Sequence, residues 1–261
     1  MTVVHEPTVF VVGRQTVDSA EVQRFLESAG ASWETDTEVG GELLAEMGGR
    51  LCYMAFGTKQ GRRHNDEYIA NILEQRHGSV LEHAVWTFLI AGVSRSLTHE
   101  LIRHRAGWSY SQLSQRYVDE TDTDFVEPDI IAADAELHAI WSEAIGRAHE
   151  AYVALAALLA ERLKARSPEL KGTERRKAAR QAARSVLPNA TETKIFVTAN
   201  ARALRHFVEL RGSQYAEPEI RKLAVAILRI MQIESPSMFG DFTTTTLADG
   251  TLATATSNSK V

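Results

Sequence analysis

The stretch "AVWTFLIAGVSRSLTHELIRHR", residues 84–105, decides how the chain is built. Its first part, 84–93, is an apolar run rich in β-formers with turn signals at both ends, the pattern of a central strand. In the second part Leu97, Leu101 and Ile102 recur at helical spacing. Glu100, Arg103 and His104 fall at i, i+3 and i+4 on another face of the same helix. A buried strand therefore feeds a helix with one polar, chemically loaded face. Working outward, "TVFVVG" (8–13) reads as a first strand, and Ser19–Glu46 is broken by "SAGAS" and "GG" into short helices. A helix spans Asp66–Arg76, and 134–166 is the longest helical pattern in the chain. "GTERRKAARQAARSVLP" (172–188) is a basic helix stopped by Pro188, and "TETKIFVT" (191–198) is a strand. "ANARALRHFVELRG" (199–212) is a helix closed by Gly212 at the C′ position, and a further helix starts at Pro218.

The charge balance restricts the ligand. With 29 Lys and Arg against 34 Asp and Glu, and a pI near 6.0, the chain lacks the broad basic field that grips nucleic acid. Yet "RHRAGWSYSQLSQRY" (103–117) gathers Arg103, His104, Arg105 and Arg116. A local basic cluster in an acidic protein points to a small anionic ligand. A solvated helix end is the plain reading of such a trio. The apolar strand before it and "SYSQLSQRY" after it favour partial burial, and a partly buried guanidinium needs an anion or acceptors.

At 261 residues and 44% hydrophobic content the chain can bury a large core. Residues 1–240 are expected to form one domain. The Thr/Ser-rich tail, 241–261, has little to bury and is expected to be loose or partner-dependent. Cys52 allows no intramolecular disulfide, and its apolar neighbours favour a packed thiol over a nucleophile. The start lacks a basic segment followed by an apolar one, and no apolar run approaches the ~18 residues of a membrane span. A cytoplasmic protein with no membrane partner is expected.

Common chemistries find no motif. G-x-G-x-x-G after a strand, the P-loop pattern, H-E-x-x-H and C-x-x-C are all missing from the sequence. His77, Glu82 and His83 in "HGSVLEH" match no standard metal spacing, so no metal is expected. Ser109, Ser111 and Ser114 lie near His104 in sequence, but no acid stands out to orient that histidine as a triad requires.

"RHR" followed by "SQLSQRY" resembles the signature of the flavin-dependent thymidylate synthases. "HGSVLEH" (77–83) is similar to the family's flavin-contacting segment, and "ARSVLPNATETKIFVTANARALRHFVELRGSQYAEPEI" (183–220) to its C-terminal substrate and flavin segment. The spacer from Ala106 to Leu113 is one residue longer than the family pattern, and the flexible "AGW" at Gly107 is the place to absorb it.

The resemblance implies an α/β (α+β) fold with a mixed central sheet flanked by helices, assembled as a homotetramer with shared active sites. It implies reductive methylation of dUMP to dTMP, with 5,10-methylenetetrahydrofolate as carbon donor, FAD reduced by NADPH, and no enzyme nucleophile. By the same resemblance His77, Ser79, Glu82, Arg103, His104, Arg105, Ser111, Asn200, Arg202 and His206 face FAD. Glu100, Arg103, Gln112, Ser114, Arg116, Arg184 and Arg211 face dUMP, with Arg211 catalytic. Arg211 also continues the apolar stripe Leu204, Phe207, Val208 and is expected to point inward. Two rival readings rank lower. One is a metal-dependent nucleotide hydrolase using His77, Glu82, His83 and His99. The other is a non-catalytic nucleotide- or RNA-binding module using "RHR" and "ERRKAAR".

Overall fold

A computed structural model describes residues 2–261. In chain order the elements are β1 (Val3–Val4), β2 (Thr8–Arg14), α1 (Ser19–Ser28), α2 (Gly40–Leu51), α3 (Asn65–Glu74), β3 (Val85–Ser94), α4 (Arg95–Leu101), β4 (Trp108–Gln112) and β5 (Phe125–Val126). There follow α5 (Asp129–Ala132), α6 (Ala135–Arg166), α7 (Gly172–Ala183), β6 (Glu192–Asn200), α8 (Ala201–Arg211), α9 (Pro218–Glu234), α10 (Pro236–Phe239), β7 (Phe242–Thr246) and β8 (Leu252–Thr256). Short 3₁₀ segments, among them Gly78–His83 and Arg184–Val186, link some of these. The protein is α/β, as the sequence implied, and it divides into two compact units that are each discontinuous in sequence.

One unit holds the chain up to Thr8, Ile90–Leu101 and Ser111–Ile195. Here β1 and β5 pair in parallel, with Val3 opposite Phe125, and the parts of β3, β6 and β4 that belong to this unit lie in that order. The long α6 starts at Asp134, whose carboxylate accepts the Glu136 and Leu137 N–H groups. It packs on α5 and α7.

The other unit holds Val9–Leu89, Ile102–Tyr110 and Phe196–Val261. Strand order is β2-β3-β6-β4, so β3 is an inner strand as expected. Trp86 and Phe88 on β3 and Val197 and Ala199 on β6 are buried at alternate positions, the period-2 pattern of a sheet with one face against the core. Helix α2 approaches that face through Gly41, where an added Cβ would lie 2.8 Å from the Trp86 ring. The α8 residues Leu204, Phe207 and Val208 are fully buried, and α8 packs on α9.

Four expectations need correction. Helix α4 ends at Leu101, so Arg103 and His104 sit in the turn that follows, not on a helix face with Glu100. The chain must reverse there to enter β4, and Gly107, at φ +75°, takes the left-handed position in that reversal. Gly212 is right-handed at φ −81°, so its role is close approach: a Cβ would lie 2.0 Å from Thr254 Oγ1. The tail is not loose. β7 and β8 form an antiparallel hairpin whose β8 packs on α8 and α9, with Thr254 Oγ1 donating to the Val208 carbonyl. Cys52 is exposed rather than packed, because it follows the last turn of α2 at a solvent-facing position.

The hairpin is pinned by an ion pair the sequence did not reveal. Arg205 is 2% exposed; it donates to both carboxylate oxygens of Asp241, at 2.6 and 2.9 Å, and to the Met238 carbonyl. Burial works against the charged Asp241, but its bonds with Arg205, Thr256 and Asn258 outweigh that and hold its pKa below 3.8. The ionised carboxylate therefore stabilises the fold above pH 3.8, and this contribution fades as pH falls through the lower folded-state value. Asp241→Asn should cost about 3 kcal/mol at pH 7, since it strands a buried guanidinium. A urea midpoint within error of the parent at pH 7 would contradict this.

Candidate active site

The turn between α4 and β4 and the start of α8 bring several of the expected residues together in one unit. Asn200 caps α8, its side chain accepting the Ala203 N–H at 2.8 Å. Its own N–H donates to the Gly107 carbonyl at 3.1 Å. A Cβ on Gly107 would lie 2.6 Å from Asn200 Nδ2 and 2.9 Å from Ala203 Cβ, so only glycine lets the turn lie this close to the helix.

His104 is 8% exposed on this turn. Its ring packs edge-on to Phe207 at 5.2 Å, tilted to Trp108 at 6.0 Å, and 6.0 Å from the His206 ring. Tyr110 donates its hydroxyl to the His104 carbonyl at 2.8 Å and stacks on Trp108. Arg211, at the end of α8 and half-buried, donates Nε–H to His104 Nε2 at 3.1 Å. It points inward as its place in the apolar stripe implied. Burial, with Arg211 and His206 nearby, pushes the His104 pKa down to about 4, so the imidazole is neutral at pH 7. Arg103, Arg105 and His206 are exposed.

A second cluster of this unit lies at the 3₁₀ turn Gly78–His83. A cavity of about 340 Å³ is bordered by Cys52, Tyr68, Arg76, His77, Ser79 and Arg202, among others. Arg202 is ion-paired with Glu82 at 2.6 Å. Gly78 keeps its wall low, since a Cβ would lie 3.2 Å from Arg202 Nε. Cations, a hydroxyl and aromatic rings around a small-walled cavity suit an anionic, ring-bearing ligand such as part of a flavin dinucleotide. His77, Ser79, Glu82 and Arg202 thus share one place. Cys52, Tyr68 and Arg76 are there too, and the sequence reading missed them because they come from the ends of α2 and α3, remote in sequence from Arg202.

The other unit carries Glu100, Ser111, Gln112, Ser114, Arg116 and Arg184. Gln112 donates to the hydroxyls of Thr98 at 3.1 Å and Thr193 at 3.4 Å. Ser114 Oγ accepts the Arg116 N–H at 3.4 Å, and the Arg116 guanidinium lies over the Tyr117 ring. Arg184 opens a 3₁₀ turn after α7 and is half-buried. Sequence reading passed over Arg95 beside it. Burial lowers the Arg95 pKa, Glu120 opposes this, and the charge of Arg184 lowers it further. Its Nη1 is buried with no hydrogen-bond partner among the described residues. A buried, unanswered guanidinium nitrogen near a second arginine is an anion-seeking arrangement.

The rival readings lose their footing. Among the described residues no three His, Cys, Asp or Glu side chains are placed to hold one metal ion. In the "ERRKAAR" helix Arg180 is engaged with Asp119 and the Tyr117 carbonyl, and Arg175 with the Leu170 carbonyl.

Comparison with known proteins agrees with this geometry. The family described as "Thymidylate synthase complementing protein" matches residues 35–237. A protein of Mycobacterium sp. (strain JLS) named flavin-dependent thymidylate synthase is 52% identical over 221 residues, covering 84% of this chain and 86% of that one. A Mycobacteroides abscessus protein of the same name is 49% identical over 229 residues, covering 87% and 89%. In fold the chain is similar to a UMP/dUMP methylase, PolB from Streptomyces cacaoi, with a TM-score of 0.62 at 22% identity, covering 92% of this chain and 96% of that one. With most of its length aligned at about half identity, and the basic turn, the capped α8 and the cation-lined cavity in place, the chain belongs to the flavin-dependent thymidylate synthase family.

Proposed function

We propose that the protein converts dUMP to dTMP by reductive methylation, with 5,10-methylenetetrahydrofolate as carbon donor and NADPH as the source of reducing equivalents through FAD. The observation that carries this reading is the half-buried Arg211, held by a neutral, buried histidine on the basic turn. Methylation at C5 requires the pyrimidine to act as a carbon nucleophile, and negative charge develops on the ring as it does. A fixed guanidinium beside the ring stabilises that charge without reorganising. The methylene group of the folate then leaves as a methyl group on C5, the C5 proton is lost, and tetrahydrofolate and NADP⁺ complete the balance.

The residues divide by chemistry. A bound flavin supplies the reducing equivalents, and His77, Ser79, Glu82, Arg202, Asn200 and His206, with the trio Arg103, His104 and Arg105, are its proposed contacts, together with Ser111. The nucleotide falls to Glu100, Gln112, Ser114, Arg116, Arg184 and Arg211, with Arg95 added by its unanswered nitrogen. Arginine forks suit phosphate and diphosphate oxygens. No nucleophile is called for. Cys52 Sγ lies 3.4 Å from the Gly48 carbonyl, and Ser114 Oγ accepts a backbone N–H, so neither has a base beside it in these contacts. The same reading gives a cytoplasmic homotetramer. Apolar residues left exposed along α6, Ile140 and Leu158 among them, support the assembly. Among the described residues no helix is long and apolar enough to cross a membrane.

The purified protein should be yellow or take up added FAD, and its flavin absorbance should bleach anaerobically with NADPH; a protein that does neither contradicts the reading. Arg211→Ala should keep its flavin and its reduction by NADPH yet lose ~10² to 10³ in dTMP formation. Arg211→Lys should recover little of it, because an ammonium cannot reproduce the planar fork. Near-parental dTMP formation in both would show that the substrate site lies elsewhere. Cys52→Ala should leave turnover nearly intact; loss of turnover with normal flavin content would restore an enzyme nucleophile.

A further inference from the structure

The contact between Arg211 and His104 has a direction. Arg211 Nε can only donate, so His104 Nε2 must be the acceptor, and the ring proton then sits on Nδ1. A guanidinium is planar, and a hydrogen bond at Nε fixes the plane that the two terminal nitrogens share with it. The acceptor is itself immobile. Its backbone carbonyl is tied by Tyr110, and its ring is enclosed by Phe207, Trp108 and His206, with Trp108 also edge-on to Phe207 at 5.5 Å. The turn that carries it is tied to α8, the helix that ends in Arg211, through the bond from Asn200 N–H to Gly107.

We infer that His104 is a positioning residue for Arg211: its neutral imidazole, accepting at Nε2, sets the plane in which the arginine meets the substrate. This rests on the reading of Arg211 as a substrate contact, and it adds to the flavin contact proposed for His104 a second task on its other side. A protonated ring would have no lone pair for Nε and would repel the guanidinium, so the apolar enclosure that keeps the ring neutral is part of the device.

Two measurements on the holoenzyme test it. The first is independent of activity. With ¹⁵N-labelled histidine, the His104 resonance is the one missing in His104→Phe. At pH 7 it should report a neutral Nδ1–H ring, and its Nε2 signal should move in Arg211→Ala. A protonated or Nε2–H ring, or a signal unmoved by Arg211→Ala, overturns the inference. The second is a double-substitution cycle on dUMP affinity and dTMP formation, with flavin content monitored. His104→Phe keeps an aromatic ring but loses the acceptor, and should weaken dUMP binding about tenfold, the order expected for one hydrogen bond to a charged group. In the Arg211→Ala background the same change should cost nothing more, because its effect passes through the arginine. Additive losses, or parental dUMP affinity in His104→Phe, overturn it. If the unsubstituted enzyme neither binds dUMP nor forms dTMP, it is the proposed function that fails, and the resonance measurement still decides whether His104 holds Arg211.

Discussion

The close approach of Gly107 to the first turn of α8 is the constraint on which one half of the candidate site depends. Asn200 ends β6, caps α8 and donates its N–H to the Gly107 carbonyl. A side chain at 107 would run into both Asn200 and Ala203. Because the turn can lie against the helix, His104 reaches Phe207 and Arg211. Because the helix begins at a fixed register, Arg211 emerges two turns after Leu204 on the buried face. One backbone hydrogen bond and one missing methyl group thus translate β-sheet geometry into the placement of a guanidinium.

The second theme is how an acidic chain keeps its cations useful. Two arginines of α8 are withdrawn from bulk solvent in opposite ways. Arg205 is answered by Asp241 and carbonyls, and its charge is spent on holding the C-terminal hairpin. Arg211 is met at Nε by a neutral imidazole, which occupies that donor and brings no charge of its own. A carboxylate at position 104 would make a stronger pair but would remove the field a developing anion needs. The two environments give two arginines of one helix different partners, a carboxylate for Arg205 and an imidazole for Arg211.

Much of this was legible in the residues. β3 is an apolar run, α3 and α8 are periodic, α6 is the longest helical pattern and Pro218 marks the start of α9, while the inward course of Arg211 follows from Leu204, Phe207 and Val208 alone. The end of α4 was not legible, because Ile102, Arg103 and His104 continue its period. What stops the helix is the need to return into β4, and Gly107 is the local sign of that. The alternation of Trp108 and Tyr110 with serines is the mark of β4, and it went unread because five polar-flanked residues carry a weak signal. The tail was misread for a similar reason. Its threonines are favourable in strands and Asp249-Gly250 is a hairpin signal, but what fixes the hairpin is distant: Asp241 answers Arg205, and Thr254 fills the space left by Gly212. Cys52 looked packed because its sequence neighbours are apolar, and only the orientation of the α2 end shows Leu51, Cys52 and Tyr53 facing outward.

The distribution of roles along the chain also explains why a nucleophile is dispensable. In a site built around a covalent adduct, the reactive thiol or hydroxyl needs a base beside it and a third group to orient that base. Here the buried His104 is already accepting from an arginine and has been driven far below the pKa at which a general base works well near neutrality. An imidazole in that state cannot serve a serine or cysteine without releasing Arg211. The pair is committed to its own contact, and on the proposed reading the bond-making comes from the substrates and the bound cofactor.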